Sequence, residues 1–191
     1  AYSSPIIELF DNAVDTGCGS ATSAVGPFYC PADQQIYLDT SFYNELRTQF
    51  GATGGPLAEL YVVAHEWGHH VQNISGVFAS ADTTQTGPTS DAVRVEVQAD
   101  CYAGAWVGSA TQTVDDSGTT LLEPITEEQI ADALNAASAI GDDRIQEQTQ
   151  GQVNPETWTH GSSEQRQRWF TAGYSGGADA CDTFAASDSE L

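Results

Sequence analysis

The sequence predicts an α+β chain, mostly helical, with a small antiparallel sheet or hairpin near its N-terminus. Three observations carry that expectation. Apolar Leu57, Leu60, Tyr61, Ala64, Trp67 and Val71 recur at three- and four-residue steps through "GGPLAELYVVAHEWGHHVQNISG", the period of an amphipathic helix. Two capping boxes, Thr126 with Gln129 and Ser162 with Gln165, stand ahead of further helical stretches. Only residues 26–39, "GPFYCPADQQIYLD", read as a hairpin: an aromatic run, a Pro-Ala-Asp turn, then a strand Gln35 to Asp39 with Ile36 and Leu38 on one face.

Along the chain, "TSFYNELRTQFG" is a short helix with Thr40 or Ser41 as N-cap and Gly51 after its last turn. In the next helix Pro56 occupies a harmless first-turn position, and Gly76 follows the last periodic residue. A polar loop from Ala79 to Thr89 leads to "DAVRVEVQADCYAGAWVGSA", capped by Ser90 or Asp91. "TVDDSGTT" reads as a surface turn. Glu127 and Glu128 complement the N-terminus of a helix that Gly141 ends. "DDRIQEQTQGQVNPETW" reads as a polar connection, and the last helix, "EQRQRWFTAGYS", closes at Gly176 and Gly177.

A chain of 191 residues with four tryptophans can bury one sizeable core but not two, so residues 1–191 are expected to form one domain. Its 27 acidic residues face five basic ones, all Arg, for a net charge of -22. Nucleic acid and anionic membranes would repel it, since phosphate binding needs Lys/Arg clusters. No apolar run reaches 18 residues, so no membrane insertion by this chain is expected. The absence of any methionine, even at position 1, is expected of a chain that is either processed or cut from a longer one, with room for a preceding signal peptide or anchor. Of the four cysteines, Cys18 and Cys30 bracket a short loop with the glycines and proline that closure needs, which leaves Cys101 to pair with Cys181. Such bridges point to a secreted or extracytoplasmic location.

"VVAHEWGHHVQ" puts His65 and His69 four apart, on one face of a helix, with Glu66 about 100° round from His65. This is the H-E-x-x-H arrangement of zinc hydrolases. Chance predicts only about 0.005 occurrences in a chain of this composition. A third ligand is required. Gln72 and Ser75 stand where a metzincin would have its Gly and third His, and His70 points away from the pair. Glu96 in "EVQAD" is therefore assigned as third ligand, with Asp100 one turn later holding a zinc histidine, His65, by its free N–H. Small Ala99, Ala103, Gly104 and Gly68 would let the two helices approach.

"VVAHEWGHHVQN", "VRVEVQADCYAGAW", "CGSATSAVGPFYCPADQQIYLD" and "THGSSEQRQRWF" together resemble the bacterial neutral zinc metallopeptidase family, from about Cys18 to Phe184. The Glu-x-x-x-Asp element is similar to that of gluzincins, where the Glu binds zinc and the Asp supports a histidine. The resemblance implies a zincin-like fold, one catalytic Zn2+ and, in many members, an N-terminal membrane segment.

In this reading zinc lowers the pKa of water toward about 7, and Glu66 takes its proton and returns it to the leaving amine. His160, the one histidine outside the zinc helix, is the candidate oxyanion donor, with Tyr102, Tyr174 and Arg166 as alternatives. The strand Ile36 to Asp39 would bind an extended peptide by edge pairing. The rival readings are an amidase or deacylase using the same chemistry, and a non-catalytic secreted domain in which zinc or calcium only stabilises the fold.

Overall fold

The computed structural model describes residues 2–191. Two small sheets come first: β1 (Ile6–Phe10), β2 (Ala13–Thr16), β3 (Gly19–Thr22), β4 (Phe28–Cys30) and β5 (Gln35–Asp39). β4 and β5 form the expected antiparallel hairpin, with Phe28 opposite Tyr37 and Cys30 opposite Gln35. β1 adds a parallel strand on the other side of β5, Ile6 beside Gln35 and Phe10 beside Asp39, while β2 and β3 pair separately. Because β5 is the central strand of β1-β5-β4, neither of its edges is free. The expected edge pairing of a peptide with Ile36–Asp39 is therefore wrong.

The helices are α1 (Phe42–Thr48), α2 (Pro56–Ser75), α3 (Val77–Ser80), α4 (Asp91–Ala110), α5 (Glu127–Ala139), α6 (Asp142–Gln150) and α7 (Ser163–Gly176). Both capping boxes form, at Thr126 and Ser162, and the Ser90 side chain accepts from the Val93 N–H. Gly76 ends α2 in the left-handed conformation at φ 87°, where a Cβ would be strained. α6 lies inside the stretch read as a polar connection. Its N-terminus is fixed by side chains: Asp142 and Asp143 accept from the backbone of 159–161 and of Ser163.

α2, α4, α5 and α7 pack around one core that includes Leu57, Tyr61, Ala103, Ala136 and Phe170. At Gly68 a Cβ would lie 3.0 Å from the Ala99 Cα and carbonyl, so glycine sets how closely α2 approaches α4. Gly104 does not serve that pair. It faces α7, where an added Cβ would collide with the Phe170 carbonyl, as one at Gly173 would with the Cys101 carbonyl. Cys18–Cys30 and Cys101–Cys181 are both bridged, the second tying α4 to the segment after α7. Among the described residues no helix is long and apolar enough to cross a membrane.

Candidate metal centre and catalytic cleft

α2 runs beneath an open cleft and shows it an unusual face. His65, Glu66, His69 and Gln72 are all buried, whereas Leu60, Ala64, Trp67 and Val71 on the opposite stripe are only partly covered. The polar face is buried because α4 lies against it. Val93, Val95 and Val97 anchor α4 in the interior, and Glu96 emerges toward the histidines. Its Oε2 is 3.3 Å from His65 Nε2 and its Oε1 is 3.5 Å from His69 Nε2. One potential ligand atom from each of the three residues lies within 4.8 Å of the others, so the group is suited to hold one metal ion.

Each imidazole is oriented through its other nitrogen. His65 Nδ1 lies 2.8 Å from Asp100 Oδ1, and since an ionised carboxylate only accepts, Nδ1 carries a proton and Nε2 is the nitrogen turned toward Glu96. Asp100 is fully buried and also accepts from the Tyr61 hydroxyl and from Arg166, Nε at 2.9 Å and Nη2 at 3.0 Å. Burial would raise Asp100, but Arg166 and His65 outweigh it and hold the carboxyl below its usual range. His69 Nδ1 donates to Gln72 Oε1 at 2.8 Å. Gln72 is itself fixed: its Nε2 donates to the Val95 carbonyl at 2.7 Å and to Gln98 Oε1 at 3.0 Å. Gln98 in turn donates to the Cys181 carbonyl at 2.8 Å. One histidine thus leans on a charged cluster and the other on a neutral amide relay.

Burial acts against the His65 imidazolium, yet Asp100 and Glu96 prevail and push His65 up to about 10 among the protein charges alone. For Glu96, burial is outweighed by His69 and His65, which hold it well below the ordinary carboxylate range. Glu66 is buried beside them and takes no hydrogen bond or ion pair among the described residues. Burial pushes its carboxyl up, partly offset by the two histidines.

His160 lines the same cleft. Its side chain is half-exposed, on a loop whose backbone N–H groups at 159, 160 and 161 all donate to Asp142 Oδ2. Hydrogen bonding to Asp142 raises its pKa, against the effect of burial. Of the alternatives for that role, Tyr102 and Tyr174 are absent from the cleft lining, and Arg166 is committed to Asp100. His70 faces the sheet, its Nε2 donating to the Ser3 carbonyl at 2.6 Å and its Nδ1 accepting from Tyr29 at 3.0 Å. Tyr61, Gln72 and Gln98 were not recognised from the sequence as partners of the site, and Arg166, read there as an alternative oxyanion donor, is instead a partner of Asp100. Only Gln72, three residues after His69 and hence on its face, left a usable signal.

The sequence matches the family described as "Putative neutral zinc metallopeptidase" over residues 1–184. The chain belongs to that family. Relatives include the uncharacterized protein Rv2575 of Mycobacterium tuberculosis and the uncharacterized protein Mb2605 of Mycobacterium bovis, each 56% identical over 98% of this chain. The uncharacterized protein YpfJ of Escherichia coli is 43% identical over 97%. The chain spans 64% of the mycobacterial family members and 63% of the one from E. coli. No solved structure matches it. The family match begins well before Cys18, the start of the quoted sequence blocks, and takes in β1 to β3.

Proposed function

We propose that residues 1–191 form one zinc-dependent peptidase domain, acting on peptide or protein substrates outside the cytoplasm. The observation that carries this reading is the convergence of His65, His69 and Glu96 below a cleft that also receives the unpartnered Glu66 carboxylate. Two imidazoles whose Nδ1–H groups are already engaged, leaving each Nε2 to bind a metal, with one carboxylate, form the donor set of a catalytic zinc site with an open position. His65 Nε2, His69 Nε2 and the Glu96 carboxylate would hold the ion. Zinc in such a site supplies Lewis acidity and makes hydroxide available near neutral pH.

The chain's own groups do the rest. A Glu66 carboxylate oxygen takes the proton of the attacking water and delivers it to the departing amine. His160 holds a proton at Nε2 for the oxyanion, positioned by the Asp142 clamp on its loop. Asp100 and Gln72 keep both imidazoles turned so that each Nε2 points toward Glu96, where it would bind the ion. β4, which among the described residues has no partner strand on its outer side, places Phe28 and Tyr29 in the cleft wall and so gives an extended peptide an edge to follow. The two disulfides support an oxidising compartment, and the net charge of -22 disfavours nucleic acid. An unpartnered Glu66 beside an open cleft favours this reading over a purely structural metal.

The test is Glu66→Gln. It is expected to keep one zinc per chain and the native fold while casein hydrolysis falls by at least about 100-fold. The parent's hydrolysis should stop with phenanthroline and return with zinc. Activity that persists in Glu66→Gln contradicts the assignment.

A further inference from the structure

The walls of the cleft restrict what it can hold. It encloses 740 Å³, within the range of about 300–1,000 Å³ for ligand clefts, which is room for a few residues of extended chain. Four of the chain's seven phenylalanines, Phe28, Phe42, Phe50 and Phe78, line it, each only half-buried. Phe42 and Phe50 continue the helical core into one wall together with Val62 and Ile140. Phe78 stands on the sheet side, its ring 6.1 Å from that of His69. Half-buried aromatic rings around a cleft are apolar area still exposed to water, which a ligand's apolar side chains would cover.

The charges are equally one-sided. Glu45, Glu66 and Glu96 line the cleft, and the only arginine among the lining residues is Arg166. Arg166 is 2% exposed and spends its guanidinium on Asp100 and Tyr61. The chain has no lysine. Arg47, Arg94 and Arg168 pair elsewhere, with Glu59, Asp188 and Glu164, and Arg144 is not in the lining. His160 faces Asp142. Among the described residues, then, the one cation-capable group that the cleft offers a substrate carboxylate outside the metal position is His160, already 3.3 Å from Asp142, and the carboxylates of Glu45 and Glu66 oppose it. A buried charge without a partner is strongly disfavoured.

We propose that the cleft selects internal stretches of polypeptide bearing large apolar side chains and rejects Asp, Glu and a free C-terminal carboxylate near the scissile bond. This rests on the peptidase reading above. It assigns Phe42 and Phe50 as residues that set specificity, and it makes the domain an endopeptidase of apolar segments, unsuited to trimming C-termini.

The test uses three fluorescently labelled ten-residue peptides built on one Ser/Gln/Ala frame. One has blocked ends and a central Phe-Leu, the second has blocked ends and a central Asp-Glu, and the third ends in a free carboxylate directly after the Phe-Leu. Binding to the zinc-loaded Glu66→Gln chain is read by anisotropy, and hydrolysis by the parent is read by mass spectrometry. The blocked Phe-Leu peptide should bind at least about tenfold more tightly than either of the others, the scale of discrimination that apolar pockets reach. The Phe42→Ala/Phe50→Ala double variant should lose most of that margin with its zinc content unchanged. Equal or tighter binding of the Asp-Glu peptide, binding of none of the three, or an unaltered margin in the double variant overturns the proposal. The two readings fail separately: a parent that binds with this preference but cleaves nothing refutes the peptidase, and one that cleaves all three alike refutes the selectivity.

Discussion

Gln72→Leu is the perturbation that probes most sharply how the site is built. Leucine fills nearly the same space but can neither accept from His69 Nδ1 nor donate to Val95 and Gln98. The Val95 carbonyl lies within α4 and keeps its helical partner. That leaves the His69 N–H and Gln98 Oε1 as buried orphans. At about 1–3 kcal/mol each, the fold should lose roughly 2–6 kcal/mol. With its imidazole free to turn, His69 should also bind metal about 10- to 100-fold more weakly, the usual effect of losing such a support. Gln72→Glu separates the two consequences. It keeps an acceptor for His69, so zinc affinity should stay within about threefold of the parent, while its carboxylate faces the Val95 carbonyl and Gln98 Oε1 and lowers stability. Zinc affinity is read by competition with a chromophoric chelator, stability by urea unfolding of the metal-free chains. A Gln72→Leu chain matching the parent in both refutes the idea that the amide relay orients His69.

Other outcomes follow from the same contacts. Asp100→Asn leaves Arg166 buried without its counter-charge and should cost about 3–5 kcal/mol by urea unfolding; Asp100→Leu with Arg166→Met should recover much of that stability but none of the zinc affinity. Zinc at one hundred times its dissociation constant should stabilise the chain by about 2.7 kcal/mol, an upward shift in Tm of roughly 5–10 °C that a chelator reverses. Gly173→Ala forces α7 away from the Cys101 carbonyl and should destabilise by about 3 kcal/mol, measured by the urea midpoint. Opening the Cys101–Cys181 bridge with Cys→Ala at both positions releases a span of 80 residues, for which chain entropy gives about 4–5 kcal/mol.

The two long helices, both capping boxes and the cysteine pairing could be read from the sequence because each rests on local rules of period, capping and spacing. The same holds for His65 with His69 and Glu96 with Asp100, whose four-residue steps define shared faces before any packing is known, and for Glu66 beside the first histidine. What lay hidden depends on tertiary surroundings. β1 carries Ile6, Ile7 and Leu9 exposed, so no alternation of burial marked it as a strand. α6 has one apolar residue, Ile145, and is held by side-chain contacts that Asp142 and Asp143 make with residues about twenty positions on. Arg166 reads from the sequence as an alternative oxyanion donor, and only α7 laid against α4 shows that it meets Asp100. The apolar period of α2 also misdirects: it marks the stripe of Leu60, Trp67 and Val71, while the more deeply buried face is the one bearing the histidines.

Anomalous scattering at the zinc absorption edge from a zinc-loaded crystal would locate the ion among its ligands. One strong peak per chain is expected, about 2.0–2.2 Å from His65 Nε2, His69 Nε2 and a Glu96 oxygen, with no fourth protein ligand. A peak elsewhere, or one enclosed by four protein side chains, would contradict it.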